Sequence, residues 1–137
     1  MHYRWFFGTL ILLPACAQRY AAPARIETSA GPEESFNCVK KQLSTLGYKQ
    51  SSVDVAEHRI TAAKYDPKAR RADVQFRRLA NRLEVEVAPD ASGQTGIDVQ
   101  SHTFAEYTTQ RGPTEIEEKA SDQVKADAQK LLDACRG

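Results

Sequence analysis

The chain lacks an apolar run long enough to cross a bilayer. Its longest, Trp5 to Leu13, has nine residues, whereas a membrane-spanning helix needs about 20. A permanent transmembrane helix there is excluded. Histidine is also scarce, with only His58 and His102 beyond His2. Neither stands in an H-E-x-x-H spacing, and the cysteines form no C-x-x-C, so no metal ligand set is legible and no cofactor is called for. There is no G-x-S-x-G, P-loop or G-x-G-x-x-G. No constellation pairs a nucleophile with a base, and the expected class is not an enzyme. An excess of one charge is missing too: Lys plus Arg is 19 and Asp plus Glu is 18. That balance gives no global drive towards nucleic acid. Neither internal repeats nor extended low-complexity tracts occur.

What is present begins at the N-terminus. Arg4 precedes the apolar stretch, and Leu13-Pro14-Ala15-Cys16 follows it. A basic residue, a short apolar core and small exit residues are the layout of a secretory signal peptide. The last four residues resemble the lipobox of bacterial lipoproteins. The resemblance covers residues 1–16 and implies cleavage before Cys16 and lipidation of its sulfur. Ala17, where some lipoproteins carry Asp, resembles a pass to the outer membrane. The expected location is therefore the cell envelope, lipid-anchored to the outer membrane and facing the periplasm. Ala15-Cys16-Ala17 also reads as an A-x-A-like site, whose use would give a soluble periplasmic product.

Residues 1–15 are read as signal, 16–31 as the lipidated cysteine with a flexible tether, and 32–137 as one α+β domain. The tether reading rests on frequent Ala, Pro and Gly without a sustained period. Removal of Arg4 leaves 18 basic against 18 acidic residues. Once Cys16 is lipidated or removed, Cys38 and Cys135 remain. The exported compartment permits their pairing, and a bridge is expected. A loop of about 100 residues is worth about 4.7 kcal/mol in the chain-entropy model.

A helix is expected from Pro32, with Glu33 and Glu34 in its first turn, apolar Phe36, Val39, Leu43 and Leu46 on one face, and Gly47 as its stop. Cys38 lies on the flank of that face. Strand character follows from His58 to Tyr65, with Val53 to Val55 extending or preceding it. The clearest alternation puts Leu79, Leu83, Val85 and Val87 on one side of a strand and Arg78, Arg82, Glu84 and Glu86 on the other, Asn81 interrupting the apolar row. Pro89 to Gln94 is a hairpin loop. The returning strand runs from Ile97 to Thr108, with Phe104 out of phase and therefore expected at a bulge or a second apolar contact. Gly112-Pro113 is read as the end of the sheet, and Thr114 to Glu117 as a capping box opening a helix to about Ala134. The expected fold is a two-layer sandwich, α-β-β-β-α, with an antiparallel sheet and two helices on one face. This layout resembles helix-on-sheet domains of outer-membrane assembly lipoproteins.

Charge is uneven locally. Residues 59–82 hold eight basic residues against Asp66 and Asp73, a balance of plus six. Arg70, Arg71, Arg77, Arg78 and Arg82 are the candidate contacts for an anionic partner, with a solvated, mutually compensated surface as the plain alternative. The leading expectation is a binding or assembly-accessory module that meets the membrane through its anchor and recognises an envelope protein or an anionic envelope polymer. The alternative is a carrier or sensor of a small anionic or lipidic ligand, held between helices and sheet by Arg78 or Arg82.

Overall fold

The computed structural model describes residues 20–137; the expected signal and the expected lipidation site Cys16 lie outside the described residues. The elements run β1 (Ala22–Thr28), α1 (Pro32–Thr45), β2 (Lys49–Asp54), β3 (Arg59–Asp66), β4 (Phe76–Pro89), β5 (Thr95–Thr109), β6 (Gly112–Glu118) and α2 (Asp122–Ala134). All strands join one six-stranded antiparallel sheet, ordered β1-β5-β4-β3-β2, with β6 also on β5. The protein is α+β, as the sequence implies. The expected order α-β-β-β-α lacks three of the strands.

Each missing strand has a physical reason. Ala22–Thr28 belongs to no tether: it pairs with β5 from Ala22↔Ser101 to Thr28↔Thr95 and buries Ile26 and Thr28. Pro23 is tolerated because β1 is an edge strand. β2 is exposed along its whole length, so no buried alternation marks it. At Gly112, φ is +107°, and the chain turns back along β5 with Thr109 paired to Gly112. Thr114 and Glu117 are therefore strand residues and not a capping box. The real cap of α2 is Ser121, whose hydroxyl accepts the Val124 N–H.

One long strand organises the sheet. β5 gives one side to β4 and the other to β1 over residues 95–101 and β6 over 103–109. β1 and β6 thus lie end to end. Their junction is closed by the Ala120 N–H donating to the Tyr20 carbonyl at 3.0 Å.

Alternation then assigns the side chains. Ile60 and Ala62 of β3, Leu83, Val85 and Val87 of β4, and Ile97 and Val99 of β5 enter one core with Phe36, Val39 and Leu43 of α1 and Val124, Ala128, Leu131 and Leu132 of α2. α1 ends as Gly47 requires: at φ +84° it lets Tyr48 N–H reach the Leu43 carbonyl and its own N–H reach Ser44, a Schellman closure. Cys38 and Cys135 form a disulfide, with Cα atoms 5.8 Å apart, tying α1 to the residue after α2. Phe104 needs no bulge. Its strand continues in phase, and Phe104 packs on the row opposite the core. The irregularity instead lies in β4, between Phe76 and Arg78.

Candidate functional site

The row opposite the core is built by the same alternation. Register aligns Arg59, Glu86 and Asp98 across β3, β4 and β5, then Thr61, Glu84 and Gln100, then Ala63, Arg82 and His102. The first two ranks line an open concavity of about 620 Å³. Its charges face one another across strands, the arrangement that stabilises sheet pairs. Arg59 Nε lies 3.2 Å from Glu86, and Arg25 of β1 pairs with Asp98.

The third rank is more crowded. His102 Nδ1 lies 2.6 Å from Glu117 of β6, and its Nε2 lies 3.6 Å from Glu84. The imidazole stacks beside Phe104 with centroids 6.0 Å apart. Arg82 spreads its guanidinium 4.2 Å above the Phe104 ring and reaches Glu115 at 3.2 Å. Cation–π contact and ion pairing thus hold the same side chain. The other histidine is remote in kind. His58 occupies a left-handed turn at φ +48° and packs its ring 5.2 Å from Phe36.

The five arginines named from the sequence do not gather into one free patch. Arg70 donates to the carbonyls of Pro67 and Ala69 at 2.9 and 2.8 Å. Arg71 turns to the core-side row, where it pairs with Glu118, donates to the Tyr107 hydroxyl at 3.0 Å and lies 5.0 Å over Phe76. Arg77 and Arg78 share the buried Glu106 carboxylate at 3.0 and 2.9 Å. Arg78 also lies 3.5 Å over the Tyr65 ring. Arg78 and Arg82 stand on the row facing away from the helices, so neither reaches the space between helices and sheet.

These pairings shift proton affinities in matching directions. The Arg71 hydrogen bonds hold the Glu118 carboxyl below its ordinary range, against an opposing cost of burial. The bond to Glu106 raises Arg78. In the interior, Tyr48 donates to Asp127 at 2.9 Å. Burial first, then the hydrogen bond to Asp127 and its charge, push the Tyr48 hydroxyl well above its usual value. Lys64 completes that cluster, donating to Asp127 and to the Leu46 carbonyl, both at 2.9 Å.

The pairing of these basic side chains with Glu106, Glu115, Glu117, Glu118 and Asp127 is not legible in the sequence. Alternation reveals which face a residue takes, not which strand lies beside it. A signal was nevertheless present: the acidic run of Glu115, Glu117 and Glu118 follows a Gly-Pro turn, and it complements the basic run before it. Among the described residues, no group of three or more His, Cys, Asp or Glu side chains is placed to hold a metal ion. No described helix is long and apolar enough to cross a membrane. No protein-family model and no curated protein matches the chain.

Proposed function

We propose that this chain is a non-catalytic, lipid-anchored protein of the bacterial envelope, facing the periplasm and acting as a binding or assembly-accessory module. Its domain is a two-layer sandwich in which the helices cover one face of the sheet and the other face is offered to a partner. The anchor is Cys16, read from the signal. One observation carries the choice of a surface-binding module. The space between helices and sheet is filled by Phe36, Leu43, Ile60, Leu83, Ile97 and Leu131, each less than 2 % exposed or close to it, while the opposite row stays open.

A carrier of a small ligand would need that inner space, and Arg78 and Arg82 would have to line it. Both arginines lie on the other row, so the carrier reading has no support at the place expected for it. An anionic partner would meet few unspent cations, because Arg71, Arg77, Arg78 and Arg82 are already paired with carboxylates. The sheet face is accordingly suited to a partner with mixed polar groups.

Fractionation of cells expressing the full chain and Cys16→Ser tests the anchor. Wild type is expected in the membrane with a mass increased by acylation, and the variant in the soluble fraction. An unacylated wild-type chain would sink the anchor. Cross-linkers placed at Thr61 or Gln100 test the face. They are expected to capture a specific envelope component that Glu84→Lys no longer captures. Capture unchanged by that reversal would remove the open face from the proposal.

A further inference from the structure

Among the described residues, the sheet ends at β2 in an edge that no further strand covers. β2 is last in the strand order, and all six of its residues are exposed, so neither helix overhangs it. Its backbone is only half used. The Val87 N–H donates to the His58 carbonyl at 3.0 Å, which turns the backbone of His58 towards β4. Alternation along an antiparallel ladder then turns Arg59, Thr61 and Ala63 towards β2. The Thr61 carbonyl agrees with that direction, since it accepts the Ser51 hydroxyl at 3.1 Å. The β2 residues opposite these three, Asp54, Ser52 and Lys49, therefore bond inward. The N–H and C=O groups of Gln50 and Val53 point out to the open side.

A bulge makes this edge complementary to itself. The register of β2 on β3 slips between Gln50 and Ser52, which leaves Ser51 as the extra residue. On a regular strand Lys49 and Asp54 would face opposite ways. With Ser51 set aside they lie opposite Ala63 and Arg59, which share the face away from the helices. The ladder positions of β2 thus read Lys49, Gln50, Ser52, Val53, Asp54, with Ser52 at the centre. A two-fold axis through Ser52, perpendicular to the sheet, sets Asp54 of a second copy opposite Lys49, Val53 opposite Gln50, and Ser52 opposite itself. Both charges are free for such a neighbour. Arg59, the cation beside Asp54, is paired with Glu86 at 3.2 Å, and Lys49 and Asp54 form no ion pair among the described residues. A lysine and a bulge commonly guard a bare edge. An aspartate at the mirrored position makes the same lysine attractive to a copy of the chain.

We propose that β2 is the contact of a symmetric homodimer, in which the β2 strands of two copies pair antiparallel and join the two sheets edge to edge. Gln50 of each copy exchanges backbone hydrogen bonds with Val53 of the other, and Lys49 and Asp54 form an ion pair at each end. The helices of both copies lie on one side of the joined sheet, and the opposite face runs on from one copy to the next. The contact is short, so association is reversible and depends on concentration. The proposal goes beyond the binding role and does not depend on the anchor.

Sedimentation equilibrium of the purified full-length chain over a dilution series tests this, with circular dichroism to check folding. A monomer–dimer equilibrium is expected. Lys49→Asp sets acid against Asp54 of the other copy, and Asp54→Lys sets base against its Lys49. Each variant alone is expected to dimerise about 10-fold more weakly or worse, because two like-charge pairs replace two opposite ones. Mixed in equal amounts, the two variants are expected to pair again, since one copy then carries acid at both ends of the strand and the other base at both. Val53→Pro removes an outward N–H on an edge strand, where proline is tolerated. It is expected to abolish the dimer and leave the monomer folded. Asp54 also accepts the Glu57 N–H at 3.1 Å; should Asp54→Lys fail to fold, Lys49→Asp and Val53→Pro still decide. A chain that stays monomeric at every concentration would overturn the contact. So would a dimer that Lys49→Asp and Val53→Pro leave unchanged, or two folded charge variants that do not pair on mixing.

Discussion

The central strands and the edge strands of this sheet are stabilised by different means. β3, β4 and β5 alternate buried and exposed residues and lie under the helices. β2 and β6 bury no residue at all, and β1 buries only Ile26 and Thr28. What the edges lack in burial they make up with polar ties to the centre. Arg25 to Asp98 fastens β1; His102 to Glu117 and Arg82 to Glu115 fasten β6; Arg71 to Glu118 straps the 67–75 loop across it. The basic surplus of residues 59–82 and the acidic run of β6 are two halves of one fastening. A charge pattern that looks like an invitation to an outside partner is largely consumed inside the fold.

The largest expected effect is on the staple between the helices that cover the central strands. Reducing Cys38–Cys135 should lower stability by about 4 kcal/mol, since the loop it closes spans 97 positions. Urea denaturation with and without reductant measures this, and superimposable curves would mean that the staple contributes nothing. Next comes the core. Leu83→Ala, at a fully buried position of β4, should cost about 3 kcal/mol by lost burial and residual cavity. A loss below about 1 kcal/mol would erase the distinction between centre and edge.

A smaller effect belongs to the strap. Arg71→Gln should cost about 1 kcal/mol near neutral pH, as a partly exposed paired charge does. The Glu118 carboxyl titrates below its unfolded value in the folded protein. Its stabilisation is therefore fully present above the unfolded carboxylate pKa, about 4.3, and disappears as pH falls through the lower folded value. The gap between wild type and Arg71→Gln should close on acidification, and a gap constant down to the acid transition would contradict the assignment. The smallest effect is at the rim. Val53→Ala in β2, where Val53 is 42 % exposed, should change stability by less than about 0.5 kcal/mol.

The same contrast decides what could be read from the sequence. α1 was legible because Pro32, the Phe36–Val39–Leu43 spacing and Gly47 all act locally. β4 and β5 were legible because a buried face imprints period two. The bridge was legible from the count of cysteines left after processing. β1 hid in an Ala- and Pro-containing stretch because pairing with β5 supplies what its own pattern lacks. β6 imitated a helix start, since Thr114 and Glu117 satisfy a capping box until Gly112 turns the chain back. Of the candidate site, the face of Arg78 and Arg82 could be read, but not their partners. Glu106 and Glu115 come from strands whose register no single sequence displays. Asn81 looks like a flaw in an apolar row, and only the convergence of the Thr103 and Ser121 hydroxyls on its side chain, at 2.9 and 3.1 Å, shows what satisfies it.

The placement of β1 sets the geometry of the proposed anchor. The first described residue, Tyr20, has its carbonyl held by the Ala120 N–H, four positions after Cys16. At no more than about 3.5 Å per residue, that is a leash of about 14 Å, close to the radius of gyration of about 13 Å for a domain of roughly 100 residues. Were Cys16 lipidated as proposed, a head tied so closely could roll on the bilayer but not swing clear of it. The junction of β1 and β6 would then be the underside and the β2 rim the outlying margin. Any partner would have to come to the membrane surface to meet it.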